Sequence, residues 1–486
     1  MLRESTVMLL NLPSPPRSDV CRDWAGGFGT AMPAKRRDEY GHSSDPFFYP
    51  FFAYASAVLN GQNRDYTVLD GQKLKLNKHQ VLKAVEKKNP DVVFSLIGLP
   101  SLNGDLNLLT AIKDTVPNAT IVCVGTCCKV LQQEILGKRK VDVLSTSTYP
   151  YVSNLAFLLE ALEQKQDLSK VPSVSYVKDG KILTSAEVSP QGLGSLVPPR
   201  YDELDLNGYE CFRDYDGNRY RYIPVLGSKG CPYTCYYCPY PLGFGTTWSG
   251  RSPEDIVDEI EYLRSRGVEG LMFRDQSFPI DEKRAAKICD LMIDRKLDVA
   301  WSCEARVDHL SRRVLESMKK AGCKAIQLGV ETGDEGLIRE AKPQANLDIV
   351  RRAFRLTKEY YLCSMAHFIF GWPDETAETM KRTGKFVDEL APERVNWNFL
   401  TPYPGTRLQE IAKADNLILT YDWSKYTSHT VVMRTKWLSA SQIYGMGKKI
   451  MRNHRRNELV KLLSSIDERP RLVLEELITT FKSVLP

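Results

Sequence analysis

The sequence lacks a long apolar run. Its longest apolar stretch, residues 47–59, contains Pro50 and is shorter than the roughly 20 residues that a membrane-spanning helix needs. Residues 1–12 place charged side chains close to the start and are followed by Pro13, a pattern that is not typical of a secretory signal peptide. We therefore expect a soluble, cytoplasmic protein without a transmembrane segment.

A strong charge of either sign is also absent. The chain carries 66 Lys and Arg against 60 Asp and Glu, which gives a formal net charge of +6. This balance fits an anionic small molecule or a surface contact, but it does not demand nucleic acid, and we expect none. The apolar fraction of 43% is that of a globular protein, and 486 residues exceed one ordinary domain, so two or three domains are expected.

The twelve cysteines form only one cluster. Without a secretory signal, reduced thiols are expected rather than disulfides. Cys231, Cys235 and Cys238 make a CxxxCxxC pattern, and no second cysteine pair of the kind that zinc sites use is present. Three thiolates can bind three irons of a [4Fe–4S] cluster and leave the fourth iron open. A zinc site or three unrelated core cysteines are the weaker alternatives.

Residues 1–165 alternate short apolar runs with helical stretches. Apolar runs bounded by Gly or Asp predict a parallel sheet covered on both faces, which is a doubly wound, Rossmann-like α/β domain. The expected strands are 7–11, 66–70, 91–97, 120–124 and 141–145, and the expected helices are 51–60, 78–88, 106–115 and 152–163. Ligands of such sheets lie at the carboxyl ends of the strands.

The remaining chain predicts a connector, a barrel and a tail. Residues 166–218 are rich in proline and contain a hairpin signal at Asp179-Gly180. Residues 219–410 alternate strand and helix six times, which predicts a partial (β/α)₆ barrel with its chemistry at the carboxyl ends of the strands. Residues 411–486 are expected to be mainly helical and basic. The expected strands are 222–227, 270–275, 300–305, 325–330, 364–370 and 394–400, and the expected helices are 253–266, 282–295, 311–321, 347–359 and 375–390.

The cysteine triad and the motifs at the strand ends resemble the radical S-adenosylmethionine (SAM) superfamily over about residues 220–410. The resemblance implies a [4Fe–4S] cluster on the triad, SAM on its open iron, and an electron donor such as ferredoxin or flavodoxin. One motif of the family often carries a pair of acidic residues. In this sequence Gln276 replaces one of them, beside Asp275. The implied SAM contacts are Tyr237, Asp275, Glu304, Arg306, Glu331 and Gly371.

The domain that precedes the barrel resembles the cobalamin-binding branch of this superfamily, whose members include class B methyltransferases. The implied cobalamin contacts are Ser95, Leu102, Gly125, Thr126 and Ser145. Three departures stand against this pattern. Thr126 replaces a second glycine, residues 145–148 replace an acidic motif, and a DxHxxG motif that would supply a histidine ligand to cobalt is absent.

The resemblance implies a methyltransferase that acts on an unactivated carbon. One SAM would methylate cobalamin, and a second would be cleaved to a 5′-deoxyadenosyl radical. Residues 48–59 and Pro100-Ser101 also resemble radical SAM proteins that contract rings on hopanoid or archaeal lipids. Rearrangement, ring contraction or cyclisation without methyl transfer, for example of a lipid head group, is therefore the alternative, and a non-enzymatic carrier is a third. The substrate is left open between a small molecule, a lipid and a protein or peptide.

Overall fold

The protein is described by a computed structural model that covers residues 5–15, 18–33, 46–137, 140–187, 196–209, 211–214 and 217–464. Its strands form two seven-stranded sheets and two short two-stranded ribbons. Across the described ranges, no helix combines the length and the hydropathy that a membrane crossing needs.

The element bounds follow the sequence expectations closely. The strands are β1 (Val7–Asn11), β2 (Ser18–Cys21), β3 (Thr30–Pro33), β4 (Tyr66–Asp70), β5 (Val92–Leu96), β6 (Thr120–Val124), β7 (Val143–Ser145), β8 (Val174–Lys178), β9 (Lys181–Thr184), β10 (Cys211–Arg213), β11 (Arg219–Val225), β12 (Ser228–Lys229), β13 (Ser249–Gly250), β14 (Gly270–Phe273), β15 (Ala300–Arg306), β16 (Cys323–Glu331), β17 (Cys363–Phe370) and β18 (Arg394–Phe399). The helices are α1 (Trp24–Gly27), α2 (Pro50–Gly61), α3 (Lys78–Lys88), α4 (Leu102–Thr115), α5 (Cys127–Val130), α6 (Gln132–Leu136), α7 (Leu155–Glu163), α8 (Tyr240–Phe244), α9 (Pro253–Ser265), α10 (Glu282–Asp294), α11 (Arg312–Lys320), α12 (Glu335–Ala341), α13 (Leu347–Glu359), α14 (Ala377–Leu390), α15 (Arg407–Ala414) and α16 (Ala440–Ser464).

The first sheet has the order β4-β1-β5-β6-β7-β8-β9, with parallel pairing from β4 to β7. Successive residues of β1 enter opposite cores. Val7 and Leu9 pack with α2 and α7, whereas Met8 and Leu10 pack with α3 and α4. Burial on both faces explains why these strands are continuously apolar. The hairpin expected at residues 179–180 is present as β8 and β9, and it extends this sheet through antiparallel pairing with β7.

The second sheet has the order β10-β11-β14-β15-β16-β17-β18. Its six strands from β11 to β18 are parallel and curl into a half-barrel, so the expected α/β class and partial barrel are confirmed. The helices between them begin at capping residues whose side chains accept the backbone N–H three positions later, which satisfies an otherwise unpaired donor of the first turn. These residues are Ser252, Asp281, Ser311, Asn346 and Thr376.

The C-terminal region is less helical than expected. Helix α15 ends at Ala414 and α16 begins at Ala440, and the intervening residues are mostly irregular, with one short 3₁₀ turn at Trp423–Lys425. An isolated antiparallel β-bridge pairs Ile418 with Met433 within this stretch. Tertiary packing decides its conformation, because its local sequence has no helical apolar period.

A segment at residues 21–30, here called the seam loop, runs from β2 to β3 through the short α1 and packs between the first sheet and the barrel. Gly26 and Gly27 both have positive φ, at 66° and 81°. A Cβ on Gly26 would lie 2.6 Å from the carbonyl carbon of Pro239, and one on Gly27 would lie 1.9 Å from the Tyr151 hydroxyl. Only glycine fits at both positions. The seam loop is therefore packed tightly against both domains, directly beside the residue that follows Cys238.

Candidate functional site

A cavity of about 680 Å³ lies at the carboxyl ends of the half-barrel strands. Residues of β15, β16, β17 and β18 form its wall, and Trp24, Ala25 and Thr30 of the seam loop line it from the other domain. This is the edge of a parallel α/β barrel at which active sites form. The cavity is thus built jointly by the barrel and the first domain.

The three cysteines of the triad lie on a loop that follows β11, and all three line the cavity. Gly230 starts this loop with φ of 82°, and a Cβ there would lie 2.0 Å from the Thr247 oxygen. A turn is closed by the Cys238 N–H, which donates to the Cys235 carbonyl at 3.0 Å. Burial raises the pKa of the Cys231 and Cys238 thiols.

The triad does not converge on one point. In the ranges that the structure describes, no set of three His, Cys, Asp or Glu side chains has the geometry to hold a single metal ion. Zinc needs convergent ligands at about 2.0–2.3 Å. A cluster places each thiolate on a different iron, so it asks only that the three thiols face one space.

Tyr237 and Glu331 both line the cavity next to the triad. The Tyr237 ring packs edge-on against Trp372, with ring centroids 5.2 Å apart. Burial and the nearby Glu331 carboxylate raise the pKa of the Tyr237 hydroxyl. Glu331 has a φ of 72° and forms a buried ion pair with Lys342 at 2.6 Å, and the Lys342 ammonium also donates to the Gly329 carbonyl. A non-glycine residue at positive φ marks a strained position, and strain of this kind clusters at ligand sites.

Glu304 and Arg306 project from β15 into the same cavity, because alternate residues of a strand share a face. The Glu304 carboxylate accepts a hydrogen bond from the Arg274 guanidinium at 2.8 Å. The Arg306 guanidinium donates twice to Asp308, at 2.9 Å each, and its third nitrogen points at Cys235 Sγ, 3.8 Å away. Arg306 therefore contacts the triad itself.

Asp275 and Gly371, expected as SAM contacts, do not line the cavity. The Asp275 carboxylate is fully buried and accepts from the Gly227 N–H at 2.8 Å and the Ser228 hydroxyl. It holds the chain between β11 and the cysteine loop. Gly371 lies in a turn with φ of 99°, and its N–H donates to Glu375. Both residues shape loops near the cavity without facing it.

The structure does not bring the five expected cobalamin contacts to the cavity either. These are Ser95, Leu102, Gly125, Thr126 and Ser145, and the four with side chains are at most 2% exposed. The Thr126 hydroxyl donates to the Gly26 carbonyl at 2.6 Å and lies 3.1 Å from the Tyr151 hydroxyl. The Ser145 hydroxyl donates to Asn154 at 2.9 Å. The seam loop packs against the Gly125 turn, where the Thr126 N–H donates to the Gly27 carbonyl at 3.3 Å.

A polar row on the half-barrel wall was not predicted. Gln327 of β16, His367 of β17 and Asn396 of β18 line the cavity side by side. His367 Nε2 lies 3.0 Å from Gln327 Oε1, and Asn396 Nδ2 lies 3.1 Å from His367 Nδ1. Burial lowers the pKa of His367, which favours the neutral ring. The signal for this wall was a polar residue in the middle of two largely apolar strands, Gln327 in β16 and His367 in β17.

Three buried polar atoms on the cavity wall find no hydrogen-bond partner within the described part of the chain. They are Trp24 Nε1, Gln276 Oε1 and Ser302 Oγ. Buried polar groups are normally hydrogen-bonded. Trp24, Gln276 and Ser302 thus line the cavity, while these three atoms themselves are covered by surrounding protein atoms.

Residues 225–387 match the family model described as the radical SAM superfamily. The chain therefore carries a radical SAM domain, and it is an enzyme. Such a domain implies a [4Fe–4S] cluster and SAM as cofactors.

Two curated relatives cover most of the chain. An uncharacterized methyltransferase of Pyrococcus horikoshii is 28% identical over 406 residues, which cover 82% of this chain and 85% of that protein. The anaerobic magnesium-protoporphyrin IX monomethyl ester cyclase of Rubrivivax gelatinosus is 26% identical over 413 residues, which cover 83% of this chain and 72% of that protein.

Two solved structures share the fold. OxsB, a cobalamin-dependent SAM radical enzyme with aqua-cobalamin bound, superposes with a TM-score of 0.73 at 15% identity and covers 99% of this chain and 72% of its own. TsrM of Kitasatospora setae, a radical SAM methyltransferase with cobalamin and a [4Fe–4S] cluster bound, gives a TM-score of 0.66 at 15% identity, with 86% and 76% covered. At these identities the likeness establishes the fold.

Proposed function

We propose that the protein cleaves SAM to a 5′-deoxyadenosyl radical in the 680 Å³ cavity and methylates an unactivated carbon of its substrate. The observation that carries the proposal is the position of Cys231, Cys235 and Cys238. All three face a cavity at the carboxyl ends of the strands within the radical SAM domain. The 28% identity to a protein named as a methyltransferase supports methyl transfer as the outcome.

In this proposal Cys231, Cys235 and Cys238 would hold the cluster, which when bound would supply the electron for cleavage of the C–S bond of SAM. Tyr237 and Glu331 lie beside the triad on the cavity wall and contribute to the SAM pocket. The seam loop closes the cavity from the first domain and keeps water away from a reactive radical. The row of Gln327, His367 and Asn396 positions the substrate on the wall that β16, β17 and β18 form.

Cobalamin is proposed as the methyl donor to the substrate carbon, because both structural neighbours bind it. The five residues expected to hold it do not fit a corrin in this structure, since protein atoms surround them. The cavity wall fits better. A corrin carries amide side chains on its rim, and Trp24, Gln276 and Ser302 of the cavity lining each have a polar side-chain atom with no hydrogen-bond partner among the described residues. We propose that cobalamin contacts these residues instead.

The substrate and the electron source are also proposed by class. The cavity volume fits a small molecule or the head group of a lipid. A small redox protein such as ferredoxin or flavodoxin is the proposed electron donor.

A second candidate is ring formation or rearrangement without methyl transfer. It is favoured by the 26% identity, over 83% of this chain, to a protein named as a cyclase. Both candidates share the cleavage of SAM, and they differ in whether a methyl group leaves a second SAM.

The test uses the full chain, purified and reconstituted anaerobically with iron and sulfide. With SAM and dithionite, we expect 5′-deoxyadenosine, and with cobalamin supplied we also expect S-adenosylhomocysteine. Ala variants of Cys231, Cys235 and Cys238 should lose cluster iron and both products. A Cys21→Ala variant, which changes another cysteine on the same cavity, should retain its iron.

The outcomes separate the candidates. 5′-Deoxyadenosine without S-adenosylhomocysteine would favour rearrangement over methyl transfer. Full iron content in the triad variants would overturn the assignment of the cluster, and with it both candidates.

A further inference from the structure

The guanidinium of Arg306 donates hydrogen bonds from two of its edges. Its Nε and Nη2 atoms each donate to one oxygen of Asp308 at 2.9 Å, which is a bidentate pair. Nη1 remains on the other side of the guanidinium and points at Cys235 Sγ, 3.8 Å away. Because the guanidinium is planar and rigid, fixing one edge also fixes the direction of the other.

A second set of contacts holds the guanidinium from its face. The Arg306 Cζ atom lies 3.6 Å from the centroid of the Tyr233 ring. Tyr233 is itself held, since its hydroxyl bonds His309 Nε2 at 2.5 Å, and His309 Nδ1 bonds the Ser277 hydroxyl at 2.8 Å. The backbone N–H of Arg306 donates to the same Ser277 hydroxyl oxygen at 3.1 Å. Arg306 is only 7% exposed, so its charge is poorly screened by solvent.

This arrangement differs from that of a SAM contact. A side chain that recognises the SAM carboxylate presents both donors of its fork to the ligand. Here Asp308 already takes that bidentate edge, and the remaining donor faces a cysteine of the triad. The contact is therefore directed at the sulfur.

We propose that Arg306 is a positioning residue that sets the reduction potential of the cluster through Cys235. The inference rests on the cluster ligation proposed above. Reduction adds one negative charge to the cluster and its thiolates. A fixed cation that donates to a ligating sulfur stabilises the reduced state more than the oxidised one, and hydrogen bonds to sulfur are among the factors that set such potentials. Arg306 thus favours entry of the electron needed to cleave SAM.

The experiment is a redox titration of the reconstituted full-length enzyme without SAM or substrate, followed by EPR of the reduced cluster. At the wild-type midpoint potential, Arg306→Gln should lower the ratio of reduced to oxidised cluster about tenfold, a shift of about 59 mV to more negative values for one electron. Arg306→Met, also neutral, should shift it in the same direction. Arg295→Gln is the matched control, because Arg295 forms an exposed ion pair with Asp258 and Glu261 and should leave the potential unchanged.

A SAM titration of the same EPR signal provides the second readout, and the apparent Kd should stay within about twofold of wild type. Two outcomes would overturn the proposal. One is an unchanged potential with weakened SAM binding, which would make Arg306 a SAM contact. The other is loss of cluster iron from both neutral variants, which would make Arg306 a support of the cysteine loop. Because the potential is measured without SAM, neither result depends on whether methyl transfer occurs.

Discussion

The ion pair of Arg22 with Asp105 anchors the seam loop to the first domain, and its removal provides a quantitative test of the fold. Asp105 is 2% exposed and accepts from Arg22 Nη2 at 2.7 Å, from Arg22 Nε at 3.1 Å and from the Ser101 hydroxyl at 2.7 Å. Asp105→Asn keeps the shape of the side chain and leaves a buried guanidinium without its counter-charge. Breaking a buried pair in this way costs about 3–5 kcal/mol of the free energy of unfolding. Arg22 retains carbonyl partners at Leu12 and Pro13, so we expect a value of about 3 kcal/mol, at the low end of that range.

The assay is urea unfolding followed by far-UV circular dichroism. A matched control is Glu359→Gln, which breaks an exposed ion pair with Arg312 and should change the free energy of unfolding by about 0–1 kcal/mol. A loss below about 1 kcal/mol for Asp105→Asn would refute the reasoning, because it would mean that water reaches Arg22. Since the seam loop lines the cavity, the variant should also form 5′-deoxyadenosine more slowly.

Three further substitutions test the seam and the barrel. Thr126→Val should lower the free energy of unfolding by about 1–3 kcal/mol, because the Gly26 carbonyl loses its buried donor, while the optical titration with cobalamin stays unchanged. Gly243→Ala should lower the melting temperature, because its Cβ would lie 2.1 Å from the Gly26 oxygen; an unchanged value would show that the seam is loosely packed. Burial raises the pKa of Glu375 from 4.5 to about 8. The protonated carboxyl therefore contributes all of its stabilisation below about pH 4.5, and this contribution is lost as the pH rises to about 8. The melting temperature of wild type relative to Glu375→Gln should therefore fall across that window, and a constant difference would contradict the burial of a protonated carboxyl.

Sequence patterns predicted the regular elements well, because local physics determines them. Strand β1 and helix α13 have the expected bounds, since a continuous apolar run and an Asn346 cap each specify their element. Glu304 and Arg306 reach one cavity because two residues on one strand face share a direction. These features depend on neighbours that are close in the sequence.

The positions of the predicted site residues that do not line the cavity depend on distant contacts. Thr126 is satisfied by Gly26, one hundred positions earlier, and nothing in the local sequence of either residue shows that they meet. Asp275 stands two residues beyond the end of β14, where the strand period no longer sets the direction of a side chain, and it turns to Ser228. Gln327 could have been found, because a polar residue in the middle of a buried strand needs a reason.

The packing around the cysteine loop limits how this protein can be divided or recombined. Helix α8, which follows Cys238 after one residue, presents Phe244 to Tyr149 of the first domain, with the rings stacked at 4.3 Å. The Tyr149 N–H also donates to the Gly243 carbonyl at 2.8 Å. A chimera that exchanges the first domain between relatives would therefore have to exchange residues 239–244 with it, although they belong to the barrel in sequence. If the chain were divided at another position, both parts would expose an apolar surface immediately beside the three cysteines of the triad.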